Sequence, residues 1–542
     1  MGADRIPHTT RCVIGLCSSL VVLVGCFGVA CSATGPPSSA SAQSGRGITA
    51  DAPRHPDDLV QPADLAYLGA FRLPDGPPEI GWGWSGSALT YYPDGDPRGA
   101  VDGYPGSLFG TGHDWNQWVS EVGIPEPVIS PGKNVNDLST ATTLQGFSDI
   151  RNGLGEWPLE LPRVGLEYLP ALGGQTTGKL YFAWAPHMGE GETGPTHGWS
   201  ELDLSNPRSA GLWRIGNYWN YVTGDYLFAI PEAWADTYAP GQYLATGRYR
   251  EGGQAAQGPS VIAISPWNEG NPPRPNRTLP GVPLLLYGSV SEPDSHTLTG
   301  YQHSDEWSGA AWLTSGDRSA VVFVGTKGTG DNWYGCADGT VWEPPYPPAC
   351  PDGGERGWWS TRFVGQILFY DPADLGAVAR GTAPAWSPQP YAVMDIDPYL
   401  FHVTSRQQKF HVGAAAFDRA RGILYVMEPF ADGDKPLVHV WTIDASGSIT
   451  PTSLSIDAPG SVPERTRATI TGVLSSADSA CVAHQEVFLR KGAATIGPKY
   501  TDGSGGYSFR TKINKRTIVQ ATYAGGTSCR PSVSAKKTIR VG

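Results

Sequence analysis

The sequence predicts an all-β protein, and three observations carry that prediction. Gly and Pro number 70 and 48 among 542 residues, and few stretches show helical periodicity, so short strands must alternate with many turns. Five stretches repeat one pattern of a glycine-opened strand, a turn, and two further strands. From about Thr452 the pattern gives way to plain alternation of apolar and polar residues. Length favours one large domain and one small one. A net charge of -12 and a pI near 5.4 argue against nucleic acid as a partner.

The chain opens with MGADRIPHTTR, followed by an apolar stretch from Cys12 to Val24 that is too short to span a membrane by itself. Leu23-Val24-Gly25-Cys26 closes this stretch and resembles the lipobox of bacterial lipoproteins, whose cysteine is lipidated and becomes the mature N-terminus. The resemblance implies a signal peptide over residues 1–25, lipidation of Cys26, and secretion to the extracellular face of the bacterial cell membrane, with release as the alternative. Gly28-Val29-Ala30-Cys31 is a poorer second copy, and Ala40-Ser41-Ala42 would suit an ordinary signal peptidase. One acyl chain anchors weakly without a second signal; lipoproteins of this kind carry several. Residues 26–62, rich in Ser, Gly, Pro and Ala from Ser32 onward, read as a flexible tether.

Four of the eight cysteines, at 12, 17, 26 and 31, belong to the leader. The others form two local pairs, Cys336 with Cys350 and Cys481 with Cys529, which predicts two disulfides in an oxidising compartment. Zinc is the rival reading, without CxxC spacing to support it.

The repeat organises the middle of the chain. Its first strands are Ser85–Leu89, Val164–Tyr168, Thr223–Leu227, Ser308–Trp312 and Val412–Ala416, each carrying glycine near its start. Turns such as "TYAPG" and "DRARG" follow, then second strands ("SLFGTG", "KLYFAW", "QYLATG", "AVVFVG", "ILYVME") and third strands ("GQILFYDP", "LVHVWTI" and their counterparts). The glycines lie 79, 59, 85 and 104 residues apart, so loops pad an uneven repeat. Small residues suit strands that converge on one axis, where a Cβ would clash. Radial repetition of small antiparallel sheets is the β-propeller arrangement. Residues 63–451 are therefore predicted to form a propeller of five blades, or of six or seven if long stretches hide weak ones. "AYLGAFRLP" (66–74) has no repeat of its own and is predicted to be the outer strand of the last blade.

Residues 452–542 contain "RTRATITGVLSS", "QEVFLRK", "KYTDGSGGYSFRTKI" and "TIVQATYAGG", strands separated by turns. They resemble the small immunoglobulin-like repeats of secreted actinobacterial proteins. The resemblance implies a β-sandwich stapled by Cys481 and Cys529 that serves as a spacer or adhesion module.

In a propeller the first strand starts, and the second ends, at one face. That rim gathers Trp84 with His113 and Asp114, Arg163 with His187, Asp225 with Arg248, Glu306 with Lys327, and His411 with Glu428. His303 and Asp305 precede the fourth first strand, and Glu167 shares the axial side of its own. Each has a plainer alternative: a turn residue, a solvated loop charge, or a side chain bonded within the ring. The segment 330–362 is rich in aromatics, including Trp342 and Trp358, and would emerge on the same rim beneath its own disulfide. Exposed rings suit the apolar faces of sugars, and the alternative is a small core inside the loop.

A carbohydrate polymer or cell-surface glycan is therefore the expected partner, beside the membrane reached through the lipid anchor. One reading is a glycoside hydrolase with its carboxylate pair drawn from Asp114, Glu167, Asp225, Glu306 and Glu428. A second is a polysaccharide lyase, with a base among His113, His187 and His303 and with Arg248 or Lys327 neutralising a uronate. A third is a non-catalytic surface receptor or scaffold. No family motif in the repeat decides among them. "PDGDPRG" (93–99) and "ADGDKP" (431–436) lack calcium-loop spacing and a closing glutamate, so no cofactor is predicted and a divalent metal has no support. If Cys26 carries the lipid, Cys26→Ser should move the protein from the membrane fraction into the medium, as fractionation and immunoblotting would report.

Overall fold

The structure, a computed structural model, describes residues 58–96, 104–155, 162–186, 193–248, 252–269, 272–347, 349–350, 354, 356–405, 408–443, 452–492, 494–523, 529 and 532–542. Cys26, the signal peptide and nearly all of the tether lie outside them. Residues 58–62, expected to end the tether, are packed: Val60 is fully buried and donates its N–H to Ser319 O.

The protein is all-β. After β1 (Leu65–Arg72) come five open sheets, antiparallel but for one short parallel strand. The first contains β2 (Leu89–Tyr92), β3 (Ser107–Thr111), β4 (Val119–Gly123) and β5 (Thr143–Ser148). The second contains β6 (Pro162–Leu169), β7 (Lys179–Pro186), β8 (His197–Ser200) and β9 (Ala210–Ile215). The third contains β10 (Tyr226–Ala229), β11 (Leu244–Gly247), β12 (Ser260–Ile264) and β14 (Val282–Leu286), while β13 (Thr278–Leu279) is the strand that pairs parallel with β9. The fourth contains β15 (Glu306–Ser315), β16 (Arg318–Gly335), β17 (Gly357–Tyr370) and β18 (Ala392–Asp395). The fifth contains β19 (Ala415–Asp418), β20 (Ile423–Asp432) and β21 (Lys435–Ile443), and β1 completes it by pairing with β21 from Leu65↔Ile443 to Arg72↔Leu437.

First strands pack in turn: β2 on β6, β6 on β10, β10 on β15, β15 on β19, and β19 on β2. Here the inner glycines are required. A Cβ on Gly165 would lie 2.8 Å from Tyr226 C, one on Gly309 2.7 Å from Ala415 N, and one on Gly413 2.3 Å from Gly86 O. Each contact is with backbone in, or just ahead of, the next first strand, which cannot yield as a flexible side chain could.

Between consecutive sheets lie five apolar cores, and the second strands feed two of them at once. On β16, Val321 and Phe323 join the core shared with the third sheet, while Val322 and Val324 join the core shared with the fifth. β7 and β20 divide in the same way. Side chains alternate across a strand, so a strand buried on both faces must be apolar throughout. That explains the unbroken runs "LYFAWA" and "AVVFV". Each buried large side chain contributes roughly 1.5–3 kcal/mol.

Residues 452–541 form two further sheets around a separate core that includes Ile470, Leu489, Phe509 and Val519. The Cys481–Cys529 bond borders this core, and Cys336–Cys350 closes the turn region between β16 and β17.

Gly309→Ala should therefore destabilise by about 1–3 kcal/mol, the range for forcing extra atoms into a close-packed site. Gly146→Ala, where a Cβ meets nothing within 4 Å, should be near neutral. Chemical denaturation of both variants checks the contrast.

Candidate functional site

Strand register brings one end of all five sheets together. Leu89 pairs with Gly110, Pro162 with Pro186, Tyr226 with Gly247, Glu306 with Thr326, and Ala415 with Val426. First strands begin and second strands end at this level. On the axis, Ser87, Gly165, Asp225, Ser308 and Ala414 line a cavity of about 10 Å³, room for roughly one water. Among the described residues, each rim residue has its own surroundings.

In the first sheet, His113 and Asp114 form a tight turn. His113 Nδ1 accepts from Trp115 N at 3.2 Å, and its carbonyl accepts from Gln117 N at 2.8 Å. Asp114 Oδ1 accepts from Ser87 Oγ at 2.9 Å and from Gln117 Nε2 at 3.2 Å, while its N–H donates to Trp84 O. Trp84 and Asp114 thus meet through their backbones. In the second sheet, the backbone of Arg163 pairs with Ala185, and His187 lies outside the described residues. In the third, Asp225 and Arg248 meet at 3.4 Å. Arg248 was expected on the rim, but its side chain is fully buried, with Nη1 donating to Pro186 O and Asn220 O. A buried charge requires such partners.

In the fourth sheet, Glu306 opens β15 and is partly buried. Lys327 Nζ contacts Asp305 Oδ1 at 2.9 Å, and burial pushes the Asp305 carboxyl up to about 6 against the pull of that ammonium. In the fifth, His411 is buried, with Nδ1 2.8 Å from Asp397 Oδ1. Glu428 is also buried: its oxygens accept from Phe401 N at 2.8 Å and His402 N at 2.6 Å, and His439 Nε2 lies 2.8 Å away. Tyr67 Oη contacts the other nitrogen of that ring at 2.9 Å. Glu428 thus holds the loop ahead of β19.

Glu167 sits nearer the opposite end of the axis. Its carboxylate accepts from Thr90 Oγ1 in the first sheet and Ala229 N in the third, both at 3.0 Å. Arg419, just past β19, donates to Ala229 O at 3.0 Å and Thr314 Oγ1 at 3.3 Å. Five sheets are tied at one level. Burial pushes the Glu167 carboxyl up to about 7, against these hydrogen bonds and Arg419.

At the rim end Trp84 and the aromatic segment 330–362 were expected, and Trp115, Trp219 and Phe410 were not singled out as rim aromatics. Among the described residues of the five sheets and their loops, the exposed aromatic side chains are Trp84, Trp115, Trp219, Tyr346 and Phe410. All five occupy loops at this end. Trp84, Phe410 and Phe430 also adopt left-handed φ values of 56°, 57° and 59°, a conformation costing bulky residues roughly 1–2 kcal/mol each. The signal available in sequence was an aromatic a few residues before three of the five first strands.

β16 and β17 continue beyond β15 as a two-stranded projection, with Trp333 opposite Trp359 and Tyr334 opposite Trp358. Such cross-strand aromatic pairs stiffen a hairpin. On one face Trp358 lies 4.3 Å from the His303 ring and 5.4 Å from Tyr334. Arg356 stacks over Tyr334 and Trp342, and Trp342 stacks on Tyr346 at 6.2 Å. An open cavity lined by Trp342, Ala349, Cys350, Gly354 and Arg356 adjoins this run. The other face places Lys409 4.4 Å over Trp359.

Among the described residues no group of three or more His, Cys, Asp or Glu side chains is arranged to hold a metal ion, and no helix is long and apolar enough to cross a membrane. No protein-family model and no curated protein matches the chain. Among solved structures, the sulfur carrier protein SoxY from Chlorobium limicola f thiosulfatophilum matches with 14% identity over 18% of this chain and 87% of that one, at a TM-score of 0.14. A likeness that slight carries no argument.

The Glu167 carboxyl has a linkage consequence. Its folded pKa of about 7 exceeds the ordinary 4.5, so its contribution is fully present below the unfolded value and lost as pH rises through about 7. The melting temperature of the wild type, relative to Glu167→Gln, should fall between pH 5 and pH 8. A difference that stays flat across that range contradicts the assignment.

Proposed function

We propose that the protein is a lipid-anchored, extracellular glycan-binding protein: a five-bladed β-propeller that presents its aromatic rim to carbohydrate, followed by an immunoglobulin-like spacer. Support for the propeller comes from five small sheets whose first strands pack in turn, and from the N-terminal strand completing the last sheet. Two packed sheets with their own core favour the spacer.

The observation that carries the binding reading is that, among the described residues of the five sheets and their loops, the exposed aromatics gather at one end. Exposed, partly strained rings are costly to stability and gain a purpose as sugar platforms. Binding is favoured over hydrolysis because hydrolysis needs two carboxyl groups free to flank one glycosidic bond. Glu428, Asp225 and Glu167 instead engage protein donors or a buried cation.

The purified full-length chain should bind members of a panel of immobilised oligosaccharides, with no new reducing ends and no ultraviolet absorbance from an unsaturated product. Trp342→Ala combined with Tyr346→Ala should weaken binding by tenfold or more while leaving the melting temperature within a few degrees. Absence of binding across neutral, acidic and amino-sugar glycans sinks the reading. New reducing ends would restore the hydrolase, and an unsaturated product the lyase.

A further inference from the structure

Beside the β16–β17 projection, the loop from Gln302 to Asp305 is held at every residue. Gln302 Nε2 donates to Gly330 O at 2.6 Å, and its Oε1 accepts from Ser360 Oγ at 2.5 Å. His303 N donates to Asn332 Oδ1 at 3.2 Å, and Ser304 Oγ meets Ser360 Oγ at 2.6 Å. Asp305 accepts from Lys327 Nζ and Gly328 N at 2.9 Å and from Gln302 N at 3.0 Å.

The His303 ring is clamped just as closely. Nδ1 lies 3.2 Å from Gly252 O and 2.9 Å from Tyr301 Oη, with Trp358 stacked against one side. Gly252 N returns a bond to His303 O at 2.8 Å. Both neighbouring glycines are required: a Cβ on Gly252 would lie 3.1 Å from Trp358 Nε1, and one on Gly253 2.4 Å from Tyr301 Oη.

In the tautomer with its hydrogen on Nδ1, the ring donates to Gly252 O, which can only accept, and Nε2 presents a lone pair. Nε2 has no hydrogen-bond partner among the described residues. Burial also lowers the pKa of the ring, which keeps it neutral near pH 7. A network of hydrogen bonds and ring contacts therefore holds the imidazole in place.

We propose that His303 Nε2 is the hydroxyl acceptor of a sugar subsite at the foot of the aromatic projection, and that it determines which hydroxyl pattern the protein selects. The proposal rests on the glycan-binding reading. Trp358 is a positioning residue, setting the plane of the imidazole. A site built around one acceptor discriminates against a ligand lacking the matching hydroxyl, because the acceptor is then covered by the ligand and left unpaired.

The probe is the oligosaccharide best retained by the full-length protein on the panel above, together with its monodeoxy analogues. Wild type should reject one monodeoxy analogue by roughly tenfold, in line with the loss of one good hydrogen bond. His303→Ala should weaken the parent sugar by a similar factor and accept that analogue equally well, while His303→Gln, which keeps an acceptor, should retain part of the preference. Equal wild-type affinity for the parent and every monodeoxy analogue overturns the proposal without requiring any variant to fold. So does a folded His303→Ala with unchanged affinity and unchanged preference while Trp342→Ala still weakens binding. If the wild type retains no glycan, the glycan-binding reading fails first and this subsite falls with it.

Discussion

Backbone crowding at the axis is the constraint on which the five sheets depend. Strands β6, β15 and the approach to β19 come so close to the next first strand that even a methyl group meets backbone atoms. The approach is productive, because Ala414 N donates to Gly86 O at 2.8 Å across the join between the last sheet and the first. Glu167 and Arg419 act further along the axis, using side chains to satisfy backbone groups that no strand reaches. From this level the sheets diverge, and the space between them fills with the apolar side chains of strands buried on both faces.

The same geometry divides the polar residues of the rim into two kinds. Close to the axis, water is excluded, and a charge survives there only with partners. Asp225 with Arg248, and Glu428 with His439 and the amides of residues 401 and 402, follow that rule. They hold loops and sheets together. Further out, on the projection between β16 and β17, side chains face neighbouring loops and solvent, and aromatic groups with Arg356 take over from carboxylates.

The rim aromatics run against the grain of folding. Trp84 remains more than half exposed, at 56%, and its backbone stays left-handed, though its edge meets Phe430 at 5.2 Å. Neither property helps the chain fold. Within the proposed function they are what a sugar-facing surface retains, while the glycines and the wired loop beneath keep that surface rigid.

Much of the architecture was legible in the sequence, for local reasons. A strand that must approach another backbone carries glycine, a strand buried on both faces is apolar without alternation, and cysteines 14 or 48 residues apart can pair within one loop or module. Register then follows from the order of strands, which is why the rim residues were placed at one end of the sheets and β1 beside β21. Whether a rim side chain is free or spent was not legible. Arg248 is buried because Pro186 and residue 220 come from other segments to cover it, and Glu428 because a loop nearly thirty residues earlier turns its amides inward. His303 reads in sequence as one more loop histidine. The setting of its ring depends on a carbonyl 51 residues away and on a tryptophan from another strand, and only the tertiary structure brings those together.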